Sequence, residues 1–249
     1  MTMSVATIQV QLVRLIYGIY AWIALTSVAI PMMILLIFTP TRVARRQVAR
    51  WCARLFFLLI GSPVQLKGSQ KPLASPCIVI ANHASYLDGM ILTAALPPNF
   101  TFLIKHEMAT LPLTGFLLRR IGSEFVDRNK DSHRKQVVRR LFRAAEEGDA
   151  LAFFPEGTFD RTPGLRRFQL GAFSSARRAK LPIVPIVITG SRGKLPATSW
   201  ICSPGPLSIQ VCAPLYANTY TSVQEWVHAS RKEMLKWLGE PDLASDEEL

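Results

Sequence analysis

The residues best suited to chemistry lie in one short run, residues 82–89, that directly follows an apolar segment. The apolar segment, residues 76–81, is rich in β-branched side chains and opens with proline, which predicts a buried strand. Turn-forming residues and a second apolar run come next, so the predicted order is strand, turn and helix. This order places Asn82, His83 and Asp88 at the carboxyl edge of a sheet, where open α/β folds bind their ligands.

His83 and Asp88 could form a general base if the carboxylate orients the imidazole ring. On an ideal helix the two side chains would point about 140° apart, at roughly 100° per residue, and could not easily touch. We therefore predict that His83 lies in the turn before the helix, because Asn82, Ser85 and Asp88 favour turns and caps. An imidazole held in this way can take a proton from an alcohol near neutral pH. The alternative is that Asn82 and Asp88 only cap a helix while His83 only packs.

Three further segments follow this run: residues 122–128 (GSEFVDR), 153–158 (FFPEGT) and 181–186 (LPIVPI). Together with the His-x4-Asp pair they resemble the four sequence blocks of the glycerolipid acyltransferase family, in particular its 1-acylglycerol-3-phosphate acyltransferases. The blocks occur in the family's order and together span about residues 76–190. Four ordered blocks are specific in a way that no single block is.

The resemblance implies transfer of a fatty acyl chain from acyl-CoA or acyl-carrier protein to the free hydroxyl of a lysophospholipid. The acceptor it implies first is 1-acylglycerol 3-phosphate, which would give phosphatidic acid in phospholipid biosynthesis. Phe159 stands where many members carry an arginine that is expected to help hold the acceptor's phosphate. The alternative acceptor is another lyso-lipid, such as a lysophosphoethanolamine or an N-acyl amino acid. A non-catalytic lipid-binding protein with the same fold is an alternative of another class.

The expected catalytic residues are His83, as the base, and Asp88, which orients it. Because the acceptor's own hydroxyl attacks, the transfer requires no Ser or Cys nucleophile and no resident cofactor, and the chain has no Gly-x-Ser-x-Gly motif. The residues expected to bind substrate are Asn82, Lys105, Arg128, Glu156, Gly157 and Thr158. Arg128 is the first choice for the acceptor's phosphate, and the backbone near Gly157 is the expected donor to the oxyanion.

The charge and composition of the chain predict a partner with an anionic surface. The net charge is +12, 49% of the residues are hydrophobic, and the mean hydropathy is +0.23. No acidic residue occurs before Asp88 or between residues 161 and 224. The apolar N-terminus favours anionic membrane lipid, and the basic stretches lack aromatic residues spaced to stack on bases, so no nucleic acid partner is expected. The four cysteines have no metal-site or disulfide spacing, so no metal site is expected.

Residues 1–60 are predicted to form a membrane anchor. Leu15 to Phe38 is 24 residues without a charged side chain, long enough to cross a bilayer. A cleaved signal peptide competes with this interpretation, but the apolar run continues past the small residues at 27–29. After Pro40, arginines are mixed with apolar residues, which indicates a basic amphipathic helix on an anionic surface and a catalytic domain on the cytoplasmic face. Both a full span and an embedded hairpin fit the sequence.

Residues 61–239 are predicted to form the acyltransferase domain. Its apolar segments alternate between strand and helix patterns, including a helix up to residue 147, which predicts an α/β fold: a mainly parallel sheet flanked by helices, with an N-terminal membrane-embedded two-helix segment. Residues 108–120 could form a second membrane-facing patch, the lining of an acyl-chain tunnel or a core helix. The acidic residues 240–249 are predicted to form a solvated, mobile tail.

Overall fold

The computed structural model describes residues 5–74, 76–126 and 149–244. Helices cover the two faces of a central sheet. The strands, numbered along the described chain, are β1 (Val64–Gly68), β2 (Ile78–Ala81), β3 (Phe100–Lys105), β4 (Glu124–Val126), β5 (Ala150–Phe153), β6 (Ile183–Thr189) and β7 (Leu207–Val211). The helices are α1 (Val5–Phe38), α2 (Arg42–Leu59), α3 (Asp88–Ala95), α4 (Pro112–Arg120), α5 (Gly171–Ala179), α6 (Ser191–Lys194) and α7 (Val223–Leu238).

The described strands form one sheet in the order β1-β7-β6-β2-β5-β3-β4. Every neighbouring pair is parallel except β6 and β7, which are antiparallel. The mainly parallel α/β fold predicted from the sequence is therefore confirmed. The helix predicted up to residue 147 lies outside the described residues.

Alternate residues of the central strands supply two hydrophobic cores, one on each face of the sheet, because successive side chains of a strand point to opposite faces. Val79 packs on one face, with Phe57 of α2 and Ile91 of α3. Ile78 packs on the other face, with Phe173 of α5. Burial on both faces explains why β2 is apolar throughout rather than alternating.

Arg46, Arg50 and Arg54 of α2 face the domain that contains the sheet, and this corrects the expectation that the basic side of the helix lies on an anionic surface. Arg46 is buried, donates to both carboxylate oxygens of Asp149 at 3.0 Å and also contacts Thr101. Arg50 and Arg54 donate to the last carbonyls of α3, where the helix dipole favours cations. The outward face of α2 is instead apolar, with exposed side chains at Val43, Trp51, Leu55, Leu58 and Leu59.

Helix α1 is long and apolar enough to cross a membrane from Gln9 to Phe38, by length and composition alone. Close to its start it is fixed by Lys194, which is 1% exposed and donates to Tyr17 Oη at 3.0 Å and to Ser62 Oγ at 2.6 Å. Near its end, Arg120 of α4 donates to the carbonyl of Ile37 at 2.8 Å. A buried ammonium group requires such oxygen acceptors, so these contacts join α1 firmly to the domain.

Helix α4 and the turn before it carry the apolar segment for which three interpretations were open. Leu111 and Leu113 are exposed, whereas Gly115 is buried against the carbonyl of Ala109. Because α4 also contacts α1, its exposed leucines extend the apolar surface of α1 and α2. This arrangement favours a second membrane-facing patch.

The start of the predicted acidic tail is bound to the domain. Glu240 forms an ion pair with Arg192, and Asp242 forms one with Arg231. The expectation of a mobile tail is therefore wrong for residues 240–242, of which Pro241 and Asp242 are exposed, while residues 245–249 lie outside the described part of the chain.

Candidate active site

The site lies where the carboxyl ends of two neighbouring parallel strands, β2 and β5, meet. The chain leaving β2 carries His83, and the chain leaving β5 carries Glu156, so their proximity follows from the strand order. Asn82 fixes the exit of β2, because its side-chain amide donates to Ile188 O at 3.0 Å and accepts from Ile188 N at 2.7 Å. Its amide is thus occupied by β6, which corrects the expectation that Asn82 binds substrate.

His83 lies in the turn before α3, as predicted from the His-x4-Asp spacing. Its Nδ1 is 2.9 Å from Oδ2 of Asp88, the first residue of the helix. The same Oδ2 accepts the backbone N–H groups of Ala84 at 2.6 Å and Ser85 at 2.8 Å. Asp88 is completely buried, while the side chain of His83 is 19% exposed. The carboxylate therefore organises the turn and also orients the imidazole.

The contact with Asp88 decides which imidazole nitrogen is available for chemistry. A carboxylate can only accept hydrogen bonds, so Nδ1 must carry the proton that it donates to Asp88. Nε2 is left with its lone pair, on a side chain that solvent can reach. This is the tautomer that a general base requires.

Glu156 joins the two loops of the site through its carboxylate. Its Oε1 accepts the backbone N–H of His83 at 2.7 Å, and its Oε2 accepts the backbone N–H of Arg166 at 2.9 Å. The side chain is 6% exposed. Burial raises its pKa to about 7, against the lowering effect of the two N–H groups and of Arg231, and with a smaller rise from Asp88. The carboxylate of Glu156 therefore links the backbone at His83 to the backbone at Arg166.

Aromatic rings enclose the imidazole on two sides. Phe154 stacks on His83 with ring centroids 4.2 Å apart, and Phe159 lies against it at 4.3 Å. Tyr86 meets Phe159 edge-on at 4.8 Å and stacks on Trp200 at 5.5 Å. No role was predicted for Phe154, Tyr86 or Trp200, although Tyr86 lies inside the His-x4-Asp run. These rings restrict the imidazole to one orientation and make its surroundings apolar.

The other predicted substrate-binding residues have different outcomes. Gly157 has a φ of +76°, which explains the glycine, and its N–H donates to Phe154 O at 3.0 Å. That amide is engaged in the turn, and the expectation that the backbone near Gly157 serves the oxyanion stays a prediction. Thr158 is exposed on an open cleft of about 510 Å³ that Glu156 and Arg166 also line.

Two cations were predicted to bind the acceptor's phosphate. Lys105 lies at the end of β3, which β5 separates from β2, and its exposed ammonium group pairs with Glu107 at 2.9 Å. The structure therefore does not place it beside His83. Arg128 lies outside the described residues, and its role stays a prediction.

The pKa of Glu156 predicts a pH-dependent stability. Because this pKa is raised from 4.5 to about 7, the folded state binds more protons than the unfolded state between these pH values. The stabilisation that Glu156 contributes is therefore fully present below about pH 4.5. It is lost as the pH rises to about 7, which lowers the free energy of unfolding by on the order of 3 kcal/mol. The free energy of unfolding, measured with denaturant, should fall more steeply between pH 5 and pH 8 for the wild type than for Glu156→Gln. Equal slopes would contradict the prediction, and Glu233→Gln, on the surface of α7, should retain the wild-type slope.

The fold and the His83–Asp88 pair define a class of site: an imidazole oriented by a carboxylate at the carboxyl edge of a parallel sheet, which can act as a general base. Comparison with known proteins identifies the family, because the model of the family described as Acyltransferase matches residues 63–189, just over half of the chain. The chain belongs to this acyltransferase family and is an enzyme of the O-acyltransferase type.

Individual relatives agree with this membership. The 1-acyl-sn-glycerol-3-phosphate acyltransferase of Saccharomyces cerevisiae is 29% identical over 213 residues, which cover 80% of this chain and 69% of the relative. The lyso-ornithine lipid O-acyltransferase of Pseudomonas aeruginosa is 32% identical over 185 residues, 74% of this chain and 67% of the relative. The crystal structure of PlsC, the 1-acyl-sn-glycerophosphate acyltransferase of Thermotoga maritima, has a TM-score of 0.73 at 18% identity and covers 91% of this chain and 96% of that chain. This last likeness supports the fold alone.

Proposed function

We propose that the protein transfers a fatty acyl chain from a thioester to the free hydroxyl of a lysophospholipid. The observation that carries this proposal is the 2.9 Å contact of His83 Nδ1 with Asp88, which leaves Nε2 free to act as a base. Nε2 takes the hydroxyl proton while the acceptor oxygen bonds to the thioester carbonyl carbon. When the intermediate collapses, the carbon–sulfur bond breaks and the proton on Nε2 passes to the leaving thiolate. The transfer needs no covalent acyl-enzyme and no resident cofactor.

The acceptor that we propose is 1-acylglycerol 3-phosphate, with phosphatidic acid as the product. The name of the yeast relative supports it. The cleft beside Glu156 also supports it, because Thr158 offers a hydroxyl group, and Arg166, which pairs with Asp160, offers a guanidinium group of the kind that binds phosphate. Acyl-CoA or acyl-carrier protein is the proposed co-substrate.

A lyso-lipid with an amino-acid head group is the second candidate acceptor. Two observations favour it: the similarity to the Pseudomonas lyso-ornithine lipid enzyme, and Phe159, whose ring lies 4.3 Å from that of His83. An aromatic ring there cannot form an ion pair with a phosphate, although it can pack against an apolar or cationic head group. The side chain at position 159 is therefore expected to discriminate between the two candidate acceptors.

Acyl transfer by the purified protein in detergent tests the proposal. With labelled acyl-CoA or acyl-carrier protein, we expect kcat/KM for lysophosphatidic acid to exceed that for lysophosphatidylethanolamine and lyso-ornithine lipid by about tenfold or more, the scale of a lost charged contact. A preference for lyso-ornithine lipid would select the second candidate, and Phe159→Arg should then move the preference toward the phosphate. Absence of transfer to every lipid would favour a lipid-binding protein.

We also propose that α1 lies embedded in one leaflet beside the catalytic domain, on the cytoplasmic face, rather than crossing the bilayer. Tyr17 and Leu36 are about 28 Å apart along the helix axis, close to the thickness of a hydrocarbon core. Lys194 donates to the Tyr17 hydroxyl at 3.0 Å, and Arg120 donates to Leu36 O at 3.1 Å, so both ends of this stretch contact the same domain. With the catalytic domain outside the hydrocarbon core, a helix perpendicular to the membrane could reach the domain at one end only.

Cysteine labelling checks this disposition. In a chain whose four native cysteines are replaced, Gln9→Cys and Pro40→Cys should both react with a membrane-impermeant reagent from the cytoplasmic side. Reaction of the two positions from opposite sides would show a full span. Gln224→Cys, exposed on α7, is the control for the side on which the catalytic domain lies.

A further inference from the structure

The segment that follows α7 pairs with the loop between β5 and α5. We call residues 240–243 the C-terminal strap and residues 154–170 the β5–α5 loop. The backbone N–H of Leu165, in the loop, donates to Pro241 O at 2.8 Å, and the N–H of Leu243 donates to Leu165 O at 3.0 Å. Leu165 is completely buried. The strap therefore adds a short parallel pairing to the loop that carries Thr158 and Phe159.

Glu240 holds the loop through charged hydrogen bonds. Its Oε1 and Oε2 accept from Arg192 Nε at 2.9 Å and Nη2 at 3.0 Å, so the pair is bidentate. Oε2 also accepts the backbone N–H of Gly164 at 2.7 Å, and Arg192 Nη1 donates to Asp160 O at 3.1 Å. Gly164 has a φ of +137°, and a Cβ there would come within 2.5 Å of Leu243. One ion pair thus fixes the loop backbone at two points.

A second cation reinforces the attachment. Arg231 of α7 is 1% exposed, donates to Leu165 O at 3.0 Å and to the carbonyl of Arg166, and pairs with Asp242 of the strap. The charge pattern of the sequence fits these contacts. Residues 161–224 contain no acid, so basic side chains there must find their carboxylates elsewhere. The strap supplies one to Arg192.

Hydrogen bonds connect the loop that the strap holds to His83. The residue after Leu165 is Arg166, whose backbone N–H donates to Glu156 Oε2 at 2.9 Å, and Oε1 of Glu156 accepts the N–H of His83 at 2.7 Å. Phe159, between Glu156 and Asp160 in the loop, contacts the imidazole directly. A displacement of the loop at Asp160 or Gly164 would therefore move groups that face the acceptor.

We propose that Glu240 is a positioning residue for acceptor binding, acting through Arg192 and the β5–α5 loop. This inference rests on the proposed function, since it assigns the loop to the acceptor side of the reaction. Glu240 touches no reacting atom in this assignment. Its carboxylate sets the position of the loop, and the loop sets the fit of the acceptor against His83.

Steady-state kinetics and hydrogen exchange on the protein in detergent test this role. We expect Glu240→Gln to raise KM for the lyso-lipid acceptor about tenfold, while KM for acyl-CoA stays within about twofold. Arg192→Gln should have the same effect, and the double variant should be no worse than either single variant, because both break one pair. Backbone amides of residues 160–166 should exchange faster in each variant. The matched control is Glu233→Gln, whose pair with Lys236 lies on the surface of α7 away from the strap.

Specific outcomes would overturn the assignment. A lowered melting temperature with unchanged acceptor KM would show a merely structural role. Exchange at residues 160–166 equal to that of Glu233→Gln would show that the strap does not hold the loop. If the wild-type protein transfers no acyl chain, the proposed function fails, and the exchange experiment still decides whether Glu240 controls the loop.

Discussion

Replacement of His83 by alanine is expected to lower kcat for acyl transfer by about a thousandfold, within the range that a positioned general base supplies. The reason is the position of Nε2, which is the free nitrogen of an imidazole whose Nδ1 is held at 2.9 Å by Asp88. The backbone N–H of His83 still reaches Glu156 in the variant, so the junction of the two loops should survive. KM for both substrates should change little.

The kinetics of single turnovers with labelled acyl-CoA check this expectation, because they separate the chemical step from binding. His228→Ala, at an exposed position on α7, is the matched control and should retain wild-type activity. A His83→Ala variant that keeps more than about a tenth of the wild-type rate would exclude His83 as the base. Loss of activity together with loss of the folded state would instead point to packing against Phe154 and Phe159.

Replacement of Asp88 by asparagine is expected to lower kcat by about a hundredfold to a thousandfold with little change in KM. An amide oxygen in the place of Oδ2 can still accept from Ala84 N, Ser85 N and His83 Nδ1, so the turn should keep its shape. The variant lacks the negative charge that stabilises the imidazolium when His83 takes the proton. Its amide nitrogen would also occupy the place of Oδ1, which is buried without a hydrogen-bond partner in the described part of the chain.

Comparison of Asp88→Asn with Asp88→Ala separates the two tasks of the carboxylate. Alanine removes the acceptor of two backbone N–H groups as well as the charge, and unsatisfied buried donors cost about 1–3 kcal/mol each. Asp88→Ala should therefore also lower the free energy of unfolding, measured with denaturant. Full activity of Asp88→Asn would show that Asp88 only organises the turn.

Local patterns were sufficient to predict most of the fold. The strand predicted within residues 76–81 is β2, and the turn and helix predicted after it are the turn of His83 and α3. The strand and the helix each have a clear apolar run, and the His-x4-Asp spacing alone required His83 to precede α3. The contact of His83 with Asp88 was accessible because both partners lie within one turn of the chain.

Interactions with distant partners were not accessible in the same way. Asn82 was expected to bind substrate, but Ile188, 106 residues further along the chain, takes up its amide. The arginines of α2 form the basic side of an amphipathic pattern. That pattern does not indicate their partners, which are Asp149 and the carbonyls at the end of α3. Glu240 was assigned to a solvated tail because it begins a run of acidic residues, and nothing local indicates its partner Arg192, which lies 48 residues before it. Periodicity reports which face of an element is polar, and it does not report what that face meets.

The attachment of α1 limits how this enzyme can be shortened. Deleting α1 to obtain a water-soluble fragment would remove Tyr17 from Lys194, whose ammonium group would keep only Ser62 and the carbonyl of Ser203 as acceptors. It would also uncover the segment around Ile201 and Cys202, against which Gly18 packs without a side chain. The candidate membrane helix is thus also part of the packed interior of the domain, so an N-terminal truncation should yield an insoluble or unfolded product. Solubility would have to come from replacing the exposed side chains of α1 while its inward face is kept.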